Sequence, residues 1–257
     1  TRSPKVNLKT SLVTILFCGW MLYAPPTFAS DFVTKGDIRK STVEMFKPFF
    51  TPEKCDQILV DTFTICYDHE RKSPTAVYVE VTGPTVIEDI DKRPPFFTDK
   101  RVEKAYRTTS KDYTNTGYDR GHFGASDASH DWDKKHQKAT YSMANIVPQT
   151  PFANRYKFIA LEKHEREMAV KYGRLENLTI AFWNNRPKKI GKSQLHVPSA
   201  FAKLYTDGKD YKECFFIWNN DKYDKSNGQD PNKYKQNCDV VAAMWGTQVG
   251  EADKWSM

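Results

Sequence analysis

The stretch Tyr118-Asp119-Arg120-Gly121-His122, continued by Asn145-Ile146-Val147-Pro148-Gln149 and then by Asn154, decides how the rest of this chain is read. It sets one imidazole beside a forked cation and a carboxylate, then places a carboxamide at the head of a helix. An imidazole takes up a proton near neutral pH, which makes His122 a candidate general base. Arg120 offers paired donors that suit phosphate oxygens. Asp119 can orient a neighbouring group by hydrogen bonding, and Asn145 can either support the His122 loop or touch a substrate. The surrounding segment, residues 118–150, alternates poorly in either period, and a structureless stretch of that length inside a domain is usually functional.

Working outward, the clearest helix spans about residues 154–172. Phe158, Leu161, Met168 and Tyr172 recur at three- and four-residue steps, and Gly173 is a natural stop. Glu162 lies eight residues beyond Asn154. In a regular α-helix that is ~12 Å along the axis and about 80° round it, too far for both to bind one ion directly. A bridge through a metal-bound water is within reach.

On either side, residues 62–67, 76–81, 178–183 and 214–218 are rich in β-branched and aromatic residues and are expected as strands. Residues 69–74 form the first turn. Residues 92–95, Lys-Arg-Pro-Pro, must be extended, because a residue before proline avoids the helical region. Residues 99–119 are polar and turn-rich, and 219–237 form a long polar excursion. Strands, then a helix, then strands predict an α+β fold with a mixed or antiparallel central sheet flanked by helices, not a doubly wound one. No glycine-rich phosphate loop is present, which argues against a nucleotide-dependent enzyme.

The 257 residues suffice for one sizeable core, with 39% hydrophobic and 28% charged residues and no internal repeat. Residues 1–29 carry Lys5 and Lys9 ahead of an apolar run from Leu12 to Ala24, then Pro-Pro-Thr-Phe-Ala-Ser. That is the layout of a secretory signal peptide with cleavage after Ala29, and the run is shorter than the ~20 residues of a spanning helix. A single mature domain, residues 30–257, is expected in a secreted or periplasmic setting, with no stable membrane association once the signal is removed. Losing Arg2, Lys5 and Lys9 takes the formal charge from +7 to +4, a modest excess that favours polyanionic partners. Four cysteines remain: Cys55, Cys66, Cys214 and Cys238. An even number in an exported chain suggests two disulfides with three possible connectivities. The local pairs Cys55–Cys66 and Cys214–Cys238 are favoured because each closes a short loop. No Cys-x-x-Cys spacing supports structural zinc.

Taken in order, the motifs resemble the DNA/RNA non-specific endonucleases of the ββα-metal superfamily. Their signature is Asp-Arg-Gly-His, then Asn-x-x-Pro-Gln, then an asparagine opening a helix. The likeness continues into Leu161-Glu162-Lys163-His164-Glu165-Arg166 and His196-Val197-Pro198-Ser199-Ala200-Phe201. Cys55 and Cys66-Tyr67 resemble the opening of exported bacterial members, so the likeness runs from about residue 55 to the end. It implies a ββα-metal motif and magnesium-dependent hydrolysis of DNA and RNA that leaves 5′-phosphates, with Mn2+ as a substitute for Mg2+. Asn154 is then the metal ligand, and Glu162 contacts a metal-bound water. Magnesium keeps several waters, so one protein ligand can suffice. Arg93, in Arg93-Pro94-Pro95-Phe96, resembles the family's upstream phosphate-contacting arginine. Many members carry Ala-Pro shortly after the histidine, whereas this chain has Phe123-Gly124-Ala125, a change in loop shape and not in chemistry.

Other groups have plainer readings. His130 and His136 with Asp131 and Asp133 are expected as a polar loop and not a second metal site. Arg186, Lys188, Lys189 and Lys192 read as a solvated loop, with phosphate contact the alternative. An exported nucleic-acid-binding protein without turnover is the competing function, and a disulfide-stabilised adhesin a weaker one. Whether the chain forms a homodimer or meets an inhibitor protein is left open by the sequence.

Overall fold

β-Branched and aromatic residues begin the sheet. The computed structural model describes residues 49–51, 53–86, 90, 92–221 and 228–244, all within the compact unit Lys35–Met257. The expected signal segment and nearly all of the lead-in to residue 52 lie outside them. Strands β1 (Gln57–Val60), β2 (Thr64–Asp68) and β3 (Ser73–Thr82) form an antiparallel meander. Between β2 and β3 the chain turns through Lys72 in the left-handed region, φ 54°.

Residues 118–150 are not structureless. β4 (Asp119–His122) pairs antiparallel with β5 (Ile146–Gln149), and a short helix, α1 (Lys134–Thr140), lies between them. Two four-residue strands and a seven-residue helix are shorter than the window in which periodicity declares itself. Their order comes from the ladder between them, not from local pattern.

The helix after β5 opens with a π-helical turn, Ala153–Phe158, before α2 (Ile159–Tyr172). α2 ends at Gly173, whose φ of 78° supplies the left-handed stop that favours glycine. β6 (Arg174–Phe182) follows, then the small hairpin of β7 (Lys189–Ile190) and β8 (Leu195–His196). β9 (Ala200–Thr206), β10 (Lys212–Trp218) and β11 (Lys235–Gln236) complete the main sheet, and α3 (Cys238–Met244) follows.

The seven-stranded sheet runs β1-β2-β3-β6-β9-β10-β11, each neighbouring pair antiparallel. This is the expected α+β class. β3, β6 and β9 are buried along nearly their whole length, so both faces of the sheet centre are covered. The core gathers Ile65, Tyr67, Val77, Val79, Leu175 and Phe201 with Phe158 and Leu161 from the helix. Cys55–Cys66 and Cys214–Cys238 are bonded, the local pairing expected; the second ties β10 to α3. Among the described residues no helix is long and apolar enough to cross a membrane.

Candidate active site

The β4–β5 pair and the helix that follows it carry the signature residues. Along β4 side chains alternate, so Arg120 and His122 share one face while Asp119 and Gly121 share the other. The contacts agree: the Phe96 ring lies 5.8 Å from the His122 ring and 5.1 Å from the Arg120 guanidinium. The Tyr141 ring meets His122 edge-on at 4.9 Å. His122 is thereby wedged between aromatic walls. Its Nε2 is buried and takes no hydrogen bond from any described residue. Burial, followed by the charge of Arg93 and of His130, lowers its pKa to about 3, so it is neutral at physiological pH.

Behind His122, Asn145 is fully buried and acts as the loop's internal brace. Its Oδ1 accepts from the amides of Gly124 (3.2 Å) and Ala125 (3.3 Å), while Nδ2 donates to the carbonyls of Ala125 (2.8 Å) and Thr140 (3.0 Å). These four bonds tie the loop after His122 to the turn at Thr140. The Phe123-Gly124-Ala125 variation has a physical reason: a Cβ on Gly124 would stand 2.3 Å from Val77 Cγ1, so the loop packs on β3 where only glycine fits. Gly121 is equally confined, and the Nε2 of Gln149 donates to the His122 carbonyl at 3.2 Å.

On the other face of β4, Asp119 accepts from Asn154 Nδ2 at 3.0 Å and from Arg155 Nε and a terminal guanidinium nitrogen at 2.8 and 2.9 Å. Burial works to raise the Asp119 carboxyl, but the bonds from Arg155 and Asn154 prevail and hold it below the usual carboxylate range. A carboxylate only accepts, so it must face the amide nitrogen of Asn154. The carboxamide oxygen is turned the other way and receives no hydrogen bond among the described residues. A hard, oriented oxygen of this kind suits a divalent cation that keeps most of its waters.

The π turn changes the relation of Asn154 to Glu162. Such a turn takes up about one residue more than an α turn, so eight residues advance roughly as far as seven α-helical ones. That is about 700°, within ~20° of two full turns, and ~10 Å along the axis. The expected 80° offset is replaced by near alignment on one face, with the Glu162 side chain leaning back toward the N-terminus. Burial, opposed by Lys203 and reinforced by Glu165, raises the Glu162 pKa to about 7. Glu162 makes no hydrogen bond among the described residues, so its carboxyl is available to a hydrated ion. No cluster of three His, Cys, Asp or Glu side chains able to hold a metal occurs among the described residues. One carboxamide oxygen and one carboxyl suit a largely hydrated cation better than a caged one, while His130 Nδ1 lies 2.9 Å from the Ser126 carbonyl and His136 Nδ1 2.8 Å from Asp133 Oδ2.

Arg93 is mostly exposed, with its Nε 3.0 Å from Asp127 Oδ2, and stands near enough to His122 to shift its titration. Asp127, buried in the loop after His122, was not apparent from the sequence. Nor were Phe96 and Tyr141, the rings that enclose His122. Asp127 also contributes to the raised Glu162 pKa, so its charge is felt by both the histidine side and the helix side of the site. No direct bond joins His122 to Asn154; β4 carries one and clamps the other.

Comparisons with known proteins point to one family. The family model described as DNA/RNA non-specific endonuclease matches residues 42–250. Human mitochondrial endonuclease G is 28% identical over 155 residues, covering 56% of this chain and 52% of that protein. A nuclease of Nostoc sp. is 33% identical over 115 residues, covering 44% and 41%. The chain spans about half the length of the curated relatives it matches. A crystal structure of the EndoG/EndoGI complex has the same fold, with a TM-score of 0.66 at 21% identity over 81% of this chain and 90% of that one. With a helix-borne asparagine clamped by the Asp-Arg-Gly-His strand and a family match across most of its length, the chain belongs to the DNA/RNA non-specific endonuclease family.

Proposed function

We propose that this protein is a magnesium-dependent endonuclease that hydrolyses phosphodiester bonds of DNA and RNA without base readout, leaving 5′-phosphate ends. The observation that carries the reading is His122: an imidazole held neutral between two rings beside Arg93, its ring nitrogens without a hydrogen bond among the described residues. His122 takes the proton of a water attacking phosphorus in line. The incoming phosphodiester is anionic, and its charge raises the imidazole pKa from about 3 back toward the working range. Arg93 and Arg120 hold phosphate oxygens, and Asp119 keeps the Asn154 oxygen presented. A divalent cation held by Asn154, with Glu162 on its water shell, would supply charge for the phosphoryl and leaving oxygens.

Backbone contacts give affinity without sequence reading. The two disulfides support an oxidising compartment, and with the sequence's signal layout they support secretion or a periplasmic location. The EndoG/EndoGI complex supports an inhibitor protein as a partner here too. Degradation of plasmid and of RNA is measured with Mg2+, with Mn2+, with chelator and with His122→Ala. Both metals are expected to support cutting, while chelator and the substitution abolish it. Unchanged cutting with chelator and in His122→Ala sinks the mechanism, and tight binding without cleavage in either metal supports the turnover-free binder instead.

A further inference from the structure

The face of β4 that carries His122 continues past Arg120 to Tyr118. Phe96 and Tyr118 pack against the same apolar cluster, which includes Ile146 of β5 and Ile190 and Leu195 of the β7–β8 hairpin. That shared packing puts Tyr118 on the Arg120 and His122 side. The hairpin also delivers Lys188: its Nζ lies 4.8 Å from the Tyr118 ring centroid, and its carbonyl is fixed by the Val197 amide at 2.8 Å. The arrangement repeats what Arg120 does over Phe96 at 5.1 Å. Both cations are exposed, and neither forms an ion pair or side-chain hydrogen bond among the described residues. A ring beneath a cation restrains it and leaves its N–H donors pointing outward.

Resting on the nuclease reading above, we propose that Lys188, seated on Tyr118, is a separate phosphate-binding position that takes the nucleic-acid backbone beyond the scissile bond. Two strand residues advance about 7 Å, so Tyr118 lies ~13 Å from His122 along β4. The backbone of a duplex strand winds round its axis, so the ~3.4 Å of rise per charge becomes about 7 Å between successive phosphates, and Lys188 addresses a phosphate about two along from the one at His122. Arg120 falls between them. The three positions form a track for one strand, and the β7–β8 hairpin is its outer wall.

The test measures binding of fluorescent duplex and single-stranded oligonucleotides to the His122→Ala protein with Mg2+, between about 50 and 200 mM salt. Lys188→Gln is introduced there and compared with Lys209→Gln, an exposed lysine in the turn at the far end of β9 and β10. Each lost phosphate contact lowers the slope of log affinity against log salt by about 0.9 for duplex and 0.7 for single strands. Lys188→Gln is expected to show that loss and Lys209→Gln none. In the otherwise unaltered enzyme, Lys188→Gln is expected to raise KM for oligonucleotides of about ten residues and leave cleavage of a dinucleotide analogue, too short to reach, unchanged. Equal slopes for Lys188→Gln and its parent, or equal losses on short and long substrates, overturn the proposal. Plasmid cutting by the unaltered protein reads the nuclease assignment separately: cutting with an unmoved slope refutes only the Lys188 position, while neither cutting nor binding refutes both.

Discussion

Gly121→Ala tests how tightly the strand that carries His122 is built. A methyl at this position would lie 2.1 Å from Cδ and 2.2 Å from Oε1 of Gln149, where carbon contacts normally sit at about 3.5–4.0 Å. Gln149 is fully buried and has no room to swing away. Overpacking of a filled site costs about 1–3 kcal/mol, and losing the Gln149 bond to the His122 carbonyl adds about 1 kcal/mol. The expected destabilisation is therefore about 2–4 kcal/mol, or a fall in Tm of about 4–16 °C for a domain of this size. Because His122 hangs on that carbonyl, activity at temperatures well below the transition is expected to fall as well. Urea and thermal unfolding are measured for Gly121→Ala, Gln149→Ala and the double variant. The double variant gives the new methyl the vacated space, so the two effects are expected to be coupled by about 1–2 kcal/mol. A Gly121→Ala protein within about 0.5 kcal/mol of the parent, or strict additivity, refutes the reasoning.

Three further outcomes are expected. His122 and His130 are held neutral, at about 3 and about 4, while unfolded histidine titrates near 6.5. The unfolded chain binds more protons below that value, so stability falls as pH falls from 6.5. In His130→Gln the drop in unfolding free energy between pH 6.5 and 5 is expected to shrink by about 1–2 kcal/mol, and an unchanged drop counts against it. Lys203 is wholly buried with Nζ 3.8 Å from Glu165 Oε2, so Lys203→Met is expected to cost about 3–5 kcal/mol in urea unfolding by stranding that carboxyl. Adding Glu165→Gln should recover most of this; equal losses in single and double variants contradict it. Asp119→Ala frees the Asn154 amide and is expected to raise the Mg2+ concentration for half-maximal activity about 10–100-fold, and an unmoved metal titration would falsify the clamp.

What the sequence made visible was chemistry carried by rare residue types in order. His122, Arg120, Asn154 and the Gly173 stop could be read because each is a functional group or a backbone signal in itself. Asn145 stood out by its motif, but its four bonds to the loop depend on how the chain folds back and have no local signal. Asp127, Phe96 and Tyr141 were missed because their part depends on how the loop after β4 returns, which no local period encodes. Lys203 had a readable signal: in Ala200-Phe201-Ala202-Lys203-Leu204-Tyr205 it alternates in phase with two aromatics, which places it on an inward face. The pairing of β4 with β5 spans a gap longer than any hairpin turn, and only the fold brings the strands together.

The π turn at Ala153–Phe158 makes length, not only identity, part of the message in this segment. A helical stretch with one surplus residue can lose it and relax to ordinary winding while its flanks keep their heading. Excision of one position inside 155–158 would therefore leave the asparagine and the glutamate aligned, whereas the same excision between 159 and 161 would swing them apart by about 100°. Relatives that differ by one residue here can share a single site geometry.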